Sequence, residues 1–151
     1  MGDKVSKINL GSPASIMVVV TNVEEFAGWA KVVWGAGSWE IFEYSPTLED
    51  MTVGEPFRVK IGMVKLDGIT LELIEPMEGD TIWSKFLEEK GGGIINLTFN
   101  VSNWEETITK LQAEGNKIVV SAKWEGIRWC VFDPGPKGIL FELVEEKASG
   151  G

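Results

Sequence analysis

Hydrophobic and polar positions along the chain follow a pattern that occurs twice. Residues 15–25 read SIMVVVTNVEE and align without gaps with residues 96–106, which read NLTFNVSNWEE. Residues 68–75, GITLELIE, match residues 138–145, GILFELVE, in the same way. Each copy therefore opens with one motif and closes with the other, which identifies an internal repeat.

The first copy predicts a strand, a helix and three further strands. Residues 16–20 are rich in β-branched side chains and predict the first strand. Asn22 follows as a helix N-cap, with Glu25 placed as in a capping box. Apolar residues then recur at helical spacing and predict one buried stripe: Phe26, Trp29, Ala30 and Val33. After the helix, alternating or apolar runs predict strands over residues 39–44, 57–64 and 69–75.

The second copy predicts the same order of elements. A strand over residues 94–101 precedes a helix capped by Asn103, and strands follow over residues 117–122, 127–132 and 139–144. Residues 81–90 predict a short helix within the linker 78–92. One copy cannot bury both faces of its sheet, so the two should pack together. The sequence thus predicts an α+β domain of two βαβββ modules, residues 13–77 and 93–146, between an extension (1–12) and a disordered tail (147–151).

Charge and composition narrow the classes of function. The chain has 151 residues, a formal net charge of −9, one cysteine and no histidine. Nucleic acids and anionic membranes are disfavoured as partners, because both require basic surfaces. The lack of histidine excludes Ser–His and Cys–His nucleophile arrangements. A lone cysteine, with no apolar run typical of a signal peptide or membrane helix, favours a soluble cytoplasmic protein.

The repeat singles out two pairs of equivalent positions, Glu72 with Glu142 and Ser15 with Asn96. Each glutamate stands inside an apolar run, where a carboxylate is costly unless it is paired, hydrogen-bonded or bound to a metal. The pair therefore favours a shared cavity, and the alternative is that both side chains face solvent. Ser15 and Asn96, with Thr98 on the same side, lie opposite an apolar face that should take the helices.

Four segments of the chain resemble the vicinal oxygen chelate superfamily, which includes glyoxalase I, bleomycin-resistance proteins and methylmalonyl-CoA epimerase. They read VVVTNVEEFAGWAKVVWG, LELIEPMEGDTIWSKFLEEKGGGI, INLTFNVSNWEETITKLQAEG and GILFELVE, and the second is most similar to the epimerase branch. The resemblance implies a curved mixed β-sheet around a cavity, flanked by helices. It also implies a homodimer.

The same resemblance implies a divalent metal held by two histidines and two carboxylates or amides. Glu72 and Glu142 match the carboxylate positions, but Ser15 and Asn96 stand where the histidines would be. Through Glu72, Glu142 and Asn96, such an all-oxygen set would hold Mg, Mn or Ca weakly. The expectation is therefore no metal and no other cofactor. The absence of histidine also suggests the hypothesis of an engineered or drifted scaffold.

Aromatic residues supply a second group of candidates, because flat apolar side chains suit an organic ligand. Trp39, Trp83 and Trp129 are the candidates for a cavity wall, and the alternative for each is core packing. Glu43, with Glu40, is a second-rank candidate for a catalytic base. Lys123 or Arg128 could position an anion, although such charges are more often solvated.

These residues lead to one main hypothesis of function. A small organic molecule would bind between the modules, contacting Ser15, Asn96, Thr98 and the three tryptophans. Catalysis would be proton transfer next to a carbonyl, as in an isomerase, epimerase or lyase, with candidates Glu72, Glu142 and Glu43. One glutamate would act as the base and the other, kept protonated, as the acid. The alternative is non-catalytic binding of an aromatic or drug-like compound, as in bleomycin resistance.

Overall fold

The computed structural model describes residues 8–136 and 138–146, and it contains the βαβββ order twice, with one additional short strand in the first copy. The first repeat comprises β1 (Ser15–Val19), α1 (Val23–Val33), β2 (Trp39–Tyr44), β3 (Met51–Val53), β4 (Arg58–Leu66) and β5 (Ile69–Glu78). Helix α2 (Ile82–Lys90) links the repeats. The second repeat comprises β6 (Gly93–Val101), α3 (Trp104–Ala113), β7 (Lys117–Trp124), β8 (Ile127–Asp133) and β9 (Leu140–Glu145). The predicted tail, residues 147–151, lies outside the described residues.

All strands of the described chain form one sheet, in the order β2-β4-β5-β1-β6-β9-β8-β7-β3. At its centre, β1 pairs antiparallel with β6, and this pair joins the two repeats. On either side, β1 pairs parallel with β5, and β6 pairs parallel with β9. The strands that open and close each repeat therefore lie side by side in the middle of the sheet, and the α+β class with a curved mixed sheet is confirmed.

Strand β3 is an element that the sequence pattern did not predict. It follows a short 3-10 turn, Leu48–Asp50, and pairs antiparallel with β7, Met51 opposite Ala122. Although β3 lies between β2 and β4 along the chain, it extends the sheet at the far edge of the second repeat. The chain therefore crosses from one end of the curved sheet to the other and back.

Helix α1 packs on the outer face of the sheet, but through a different stripe from the predicted one. Its N-terminus is capped as expected, since the side chain of Asn22 accepts a hydrogen bond from the backbone N–H of Glu25 at 2.8 Å. The buried residues are Val23, Ala27 and Ala30. The predictions for Trp29 and Val33 are wrong, because these side chains are 48% and 56% exposed. The short alanines let the helix backbone approach the sheet, and this rotates the larger residues outward.

Helix α3 and the segment before β1 cover the outer face of the second repeat. Trp104 and Leu111 of α3 are buried there with Phe132 and Leu143, and Ile8 and Leu10 pack against the same cluster. Part of the predicted N-terminal extension thus contributes to packing. Among the described helices, none has the length and apolarity needed to cross a membrane.

Candidate functional site

A row of polar side chains crosses the four central strands. In the strand pairings, Ser15 lies opposite Thr70 of β5 on one side and Thr98 of β6 on the other. Thr98 in turn lies opposite Glu142 of β9. Glu72 stands two residues beyond Thr70, so its side chain emerges on the same face of the sheet. The repeat therefore places both glutamates and the hydroxyl groups on the concave face.

The concave face encloses a cavity of about 270 Å³, and both glutamates line it. Glu142 is 8% exposed, and Glu72 is half-buried with its side chain on the cavity wall. The prediction that these two carboxyl groups face one enclosed space agrees with this placement, while their catalytic role stays a prediction. Ser15 and Thr98 are also buried residues of the wall.

A short hydrogen-bond relay holds Glu142 in place. The amide Nδ2 of Asn96 donates to Thr98 Oγ1 at 3.3 Å, and the Thr98 hydroxyl donates to Glu142 Oε1 at 3.0 Å. Among the described residues no group donates a hydrogen bond to Glu72, so the two carboxyls differ in their surroundings although they occupy equivalent positions. The relay orients Glu142 and leaves Glu72 available to a ligand.

Burial raises the pKa of Glu72 above its ordinary value of 4.5, since the apolar walls disfavour the charged form. Burial also raises the pKa of Glu142, and the nearby charge of Glu72 raises it further, while the Thr98 hydroxyl opposes both effects. Two like charges in one largely apolar cavity are costly, so ionising the first carboxyl holds a proton on the second. The pair thus offers a carboxylate and a carboxylic acid on the wall of one cavity.

Aromatic rings form the wall around these carboxyls. Six lie on the cavity: Phe42, Tyr44, Phe57, Trp83, Trp124 and Trp129. Ring centroids lie 5.1 Å apart for Phe57 and Trp83, and 6.2 Å apart for Trp83 and Trp129. The remaining wall is mostly aliphatic, so the polar groups lie in an otherwise apolar surface typical of small-molecule sites.

The two ends of the curved sheet meet over the cavity. Phe42 of β2 stacks on Trp124 of β7, with ring centroids 5.1 Å apart and planes at 23°. The Tyr44 hydroxyl donates to the backbone carbonyl of Lys123 at 3.0 Å and accepts from Trp129 Nε1 at 2.9 Å. These strands are distant in the order of the sheet, so their contact encloses the space between the repeats.

Three predicted site residues lie away from the cavity surface. Asn96 is 1% exposed and its side chain is hydrogen-bonded to the wall residue Thr98. Its Oδ1 atom is buried with no hydrogen-bond partner in the described structure. Trp39 packs against the α1 side of the sheet and donates from Nε1 to the Ala36 carbonyl. Glu43 is exposed and pairs with Arg58 at 3.0 Å. Because side chains alternate along β2, Phe42 and Tyr44 face the cavity and Trp39 and Glu43 do not.

Trp83 and Trp129 do line the cavity, as expected, but several wall residues were not among the candidates. They are Phe42, Tyr44, Phe57, Thr70, Asn100 and Trp124. Thr70 could have been found from its position two residues before Glu72 on an alternating strand. Tyr44 and Trp124 could not, because their contact depends on how far the sheet curves.

Cationic side chains are missing from the described cavity wall. Arg128, considered above as an anion-binding group, instead pairs with Glu145 and Glu105, both at 2.6 Å. Its guanidinium also lies 5.4 Å from the centroid of the Trp104 ring. Lys123 is exposed, and its side chain is not part of the wall. The charged side chains on the described wall are therefore all acidic.

The wall residues do not fit the metal that the family resemblance implies. In the parts of the chain that the structure describes, no group of three or more histidine, cysteine, aspartate or glutamate residues could hold an ion. Asn96, the third oxygen ligand of the predicted set, turns its amide nitrogen to Thr98 and does not line the cavity. The two carboxyls are left with hydroxyl groups and the exposed amide of Asn100, which is a weak donor set for a divalent ion.

Known structures share this architecture, although no protein-family model and no curated protein matches the sequence. A methylmalonyl-CoA epimerase variant from Streptomyces coelicolor, in complex with 2-nitronate-propionyl-CoA, is 19% identical, with a TM-score of 0.70 over 95% of this chain and 99% of that chain. The methylmalonyl-CoA epimerase from Mycobacterium tuberculosis is 19% identical, with a TM-score of 0.67 over 90% and 88%.

A hypothetical protein from Bacillus halodurans is similar to the same degree. It is 20% identical, with a TM-score of 0.67 over 93% of this chain and 97% of that chain. Identities this low carry information on the fold alone, and the fold agrees with the resemblance found in the four sequence segments. The chain has the fold of the vicinal oxygen chelate superfamily.

Proposed function

We propose that the protein catalyses proton transfer next to the carbonyl group of a small organic molecule bound in the cavity. The observation that carries this proposal is that Glu72 and Glu142 line one largely apolar cavity, where burial raises the pKa of both carboxyls. General acid–base catalysis is most efficient when the pKa of the catalytic group is near the working pH. The pKa of an ordinary exposed glutamate lies well below neutral pH, whereas the pKa values of this pair are raised towards it.

The proposed reaction uses one carboxyl as base and the other as acid. The ionised carboxylate removes a proton from the carbon beside the carbonyl, and the protonated carboxyl donates a hydrogen bond to the carbonyl oxygen as negative charge develops there. Return of the proton from the base to another carbon completes an isomerisation. Delivery of the proton of the acid to the opposite face of the same carbon completes an epimerisation, after which proton exchange with solvent restores both carboxyls. The Thr98 hydroxyl keeps Glu142 oriented throughout.

Methylmalonyl-CoA epimerases, which share this fold, must also move a proton, so the fold can host this class of chemistry. The negative charge of this cavity disfavours binding of methylmalonyl-CoA itself. Methylmalonyl-CoA carries a carboxylate and phosphates, which require positively charged partners. Glu72 and Glu142 would repel the carboxylate, and the described wall offers no lysine or arginine to offset them. We therefore propose a carbonyl compound without anionic groups.

Hydrogen–deuterium exchange tests the proposal directly. Phenylacetone incubated with the protein in D₂O should lose its signals from the protons beside the carbonyl faster than in buffer, as followed by NMR. The variants Glu72→Gln and Glu142→Gln each remove one proton-transferring group and should slow the catalysed exchange about 100-fold or more. Thermal melting should show that both variants are folded.

A matched control separates the carboxyl pair from the overall charge of the protein. Glu88 lies exposed on α2, and Glu88→Gln changes the net charge by the same amount. This variant should exchange the ketone at the wild-type rate. Wild-type exchange no faster than buffer across a series of uncharged and amino ketones, or full activity in both cavity variants, would reject the proposal.

The second candidate is non-catalytic binding of an aromatic compound, which the six rings on the wall favour. The same variants distinguish the two functions. If the protein only sequesters its ligand, Glu72→Gln should change affinity without any exchange reaction to lose. Co-purification of an aromatic compound in stoichiometric amount, with no exchange activity, would support this second candidate.

A further inference from the structure

Three of the aromatic rings in the cavity form a continuous corner. Trp129 lies 6.4 Å from Phe57 and 6.2 Å from Trp83, and Phe57 lies 5.1 Å from Trp83, measured between ring centroids. Tyr44 extends the corner, with its ring 5.8 Å from Phe57 and 6.1 Å from Trp129. The faces of such rings carry partial negative charge and attract cations, above all cations that are weakly hydrated.

The charged groups on the same wall have one sign. Glu72 on β5 and Glu142 on β9 are acidic, and no lysine or arginine accompanies them among the described wall residues. Burial raises the pKa of Tyr44 to about 12 and that of Cys130, behind Glu142 on β8, to about 12, so both remain neutral. A buried carboxylate without a counterion is costly, so a positively charged ligand would supply the partner that the chain itself does not provide.

From this arrangement we infer that the cavity selects an organic cation, a protonated or quaternary amine, over a neutral or anionic molecule of the same shape. The carboxyls neutralise the charge, and the rings of Phe57, Trp83 and Trp129 contact the alkyl groups around the nitrogen. The cavity volume of about 270 Å³ suits a compact ligand of this kind. The inference rests on the proposed function only in naming the substrate class of the same site as an amine-bearing carbonyl compound.

Choline and 3,3-dimethylbutan-1-ol provide the test, because the two have the same shape and differ in the charge at the branched centre. Binding can be followed through the fluorescence of Trp83 and Trp129, which line the cavity. Choline should bind at least about tenfold more tightly than the alcohol, a difference of about 1.4 kcal/mol. In the double variant with Glu72→Gln and Glu142→Gln this preference should disappear, while the alcohol should still bind and so show that the cavity is intact.

Proton linkage gives a second readout that an apolar pocket would not show. A bound cation favours the ionised carboxyls, so choline should bind more tightly as pH rises from 5 to 8, about the range over which we expect the pair to titrate. Calorimetry in two buffers with different heats of ionisation should then detect protons released on binding. The alcohol should show neither effect, and Glu88→Gln should behave as wild type.

Several outcomes would overturn the inference. The first is that the alcohol binds as tightly as choline or more tightly, and the second is that neither probe binds. The third is that Glu88→Gln loses the preference for choline to the same extent as the double variant. Choline has no carbonyl group, so its binding does not depend on catalysis. Choline binding without any ketone exchange would reject the proposed function and leave the inference on the cation standing. Ketone exchange without a preference for choline would reject the inference and leave the proposed function standing.

Discussion

Thr98 is the residue on which the asymmetry of the site depends. Its equivalent in the first repeat is Met17, which cannot donate a hydrogen bond, so only Glu142 of the two glutamates is oriented by a neighbouring hydroxyl. Thr98 has one hydroxyl proton and gives it to Glu142, and the Asn96 amide satisfies the hydroxyl oxygen. Replacing this one side chain therefore alters two hydrogen bonds and the environment of a buried carboxyl.

Thr98→Val should remove both bonds while keeping the shape of the side chain. Glu142 would lose its partner and the Asn96 amide would keep only the Leu97 carbonyl, which should cost about 1–3 kcal/mol in the free energy of unfolding. The pKa of Glu142 should rise further, because the interaction that lowers it is lost. Urea unfolding and NMR titration of the carboxyl would measure the two effects. Thr98→Ser keeps the hydroxyl and should retain most of the stability, so equal losses in both variants would contradict this account.

Residue chemistry made the acidic pair predictable, but not the full surroundings of the pair. Two glutamates inside apolar runs at equivalent repeat positions indicated Glu72 and Glu142 from sequence alone. The prediction that Trp39 and Glu43 belong to the site was wrong, because both side chains lie on one side of β2 and the cavity is on the other. Asn96 has the correct strand parity, but its amide bonds to Thr98 and stays behind the wall, and no sequence pattern reports such a local hydrogen bond.

At the level of elements, the start of α1 packs against β4 at a glycine. A Cβ atom added at Gly62 would lie 2.7 Å from Cγ1 of Val23 at the start of the helix. The contact is closer than packed atoms allow, so any larger residue at this position must push α1 and β4 apart.

Gly62→Ala should therefore destabilise the protein by about 1–3 kcal/mol through overpacking, measured by chemical unfolding. The matched control is Gly28→Ala on α1, where an added Cβ atom meets nothing within 4 Å. This control should stabilise the helix by about 0.5–1 kcal/mol, because alanine is the better helix former. If both substitutions had the same sign, the close approach of α1 to β4 would not be a feature of the protein in solution.

Element order was predictable because the repeat supplied two independent readings of the same βαβββ pattern. Strand β3 was not, since Met51-Thr52-Val53 is too short for a periodicity and its partner β7 belongs to the other repeat. The stripe of α1 was misjudged at Trp29 for a related reason. Helical spacing shows which residues share a face, but Gly62 and the alanines decide which face lies against the sheet.

For the whole molecule, the two buried carboxyls make stability depend on pH. Their pKa values in the folded state lie above the unfolded value of 4.5, so between these values the unfolded chain releases protons that the folded chain retains. The unfolded state is favoured more as pH rises through this window, by about 1.4 kcal/mol per pH unit for each group.

The melting temperature should therefore fall as pH rises above 4.5. Repulsion within a chain of net charge −9 adds to the same trend. In the double variant with Glu72→Gln and Glu142→Gln the slope should be smaller, whereas Glu88→Gln should leave it nearly unchanged. Scanning calorimetry over a pH series would measure this, and identical slopes in the wild type and the double variant would contradict the raised pKa values.

Two expectations about the whole molecule stay predictions. A homodimer would give twice the chain mass in light scattering, and a value equal to one chain would remove that expectation.

Elemental analysis of protein purified without chelators should find no stoichiometric divalent ion. A bound ion at one per chain would show that the oxygen ligands suffice despite the position of Asn96.

Strand β3 means that the two repeats are not interchangeable parts. By sequence it belongs to the first repeat, but its hydrogen bonds cover the edge of β7 in the second. A second repeat produced alone would leave this edge open to pairing with other chains and so prone to aggregation. Joining two copies of the second repeat in tandem would leave this edge uncovered in both copies. Such a chain should therefore be less soluble than this protein, although the second repeat is the more regular of the two.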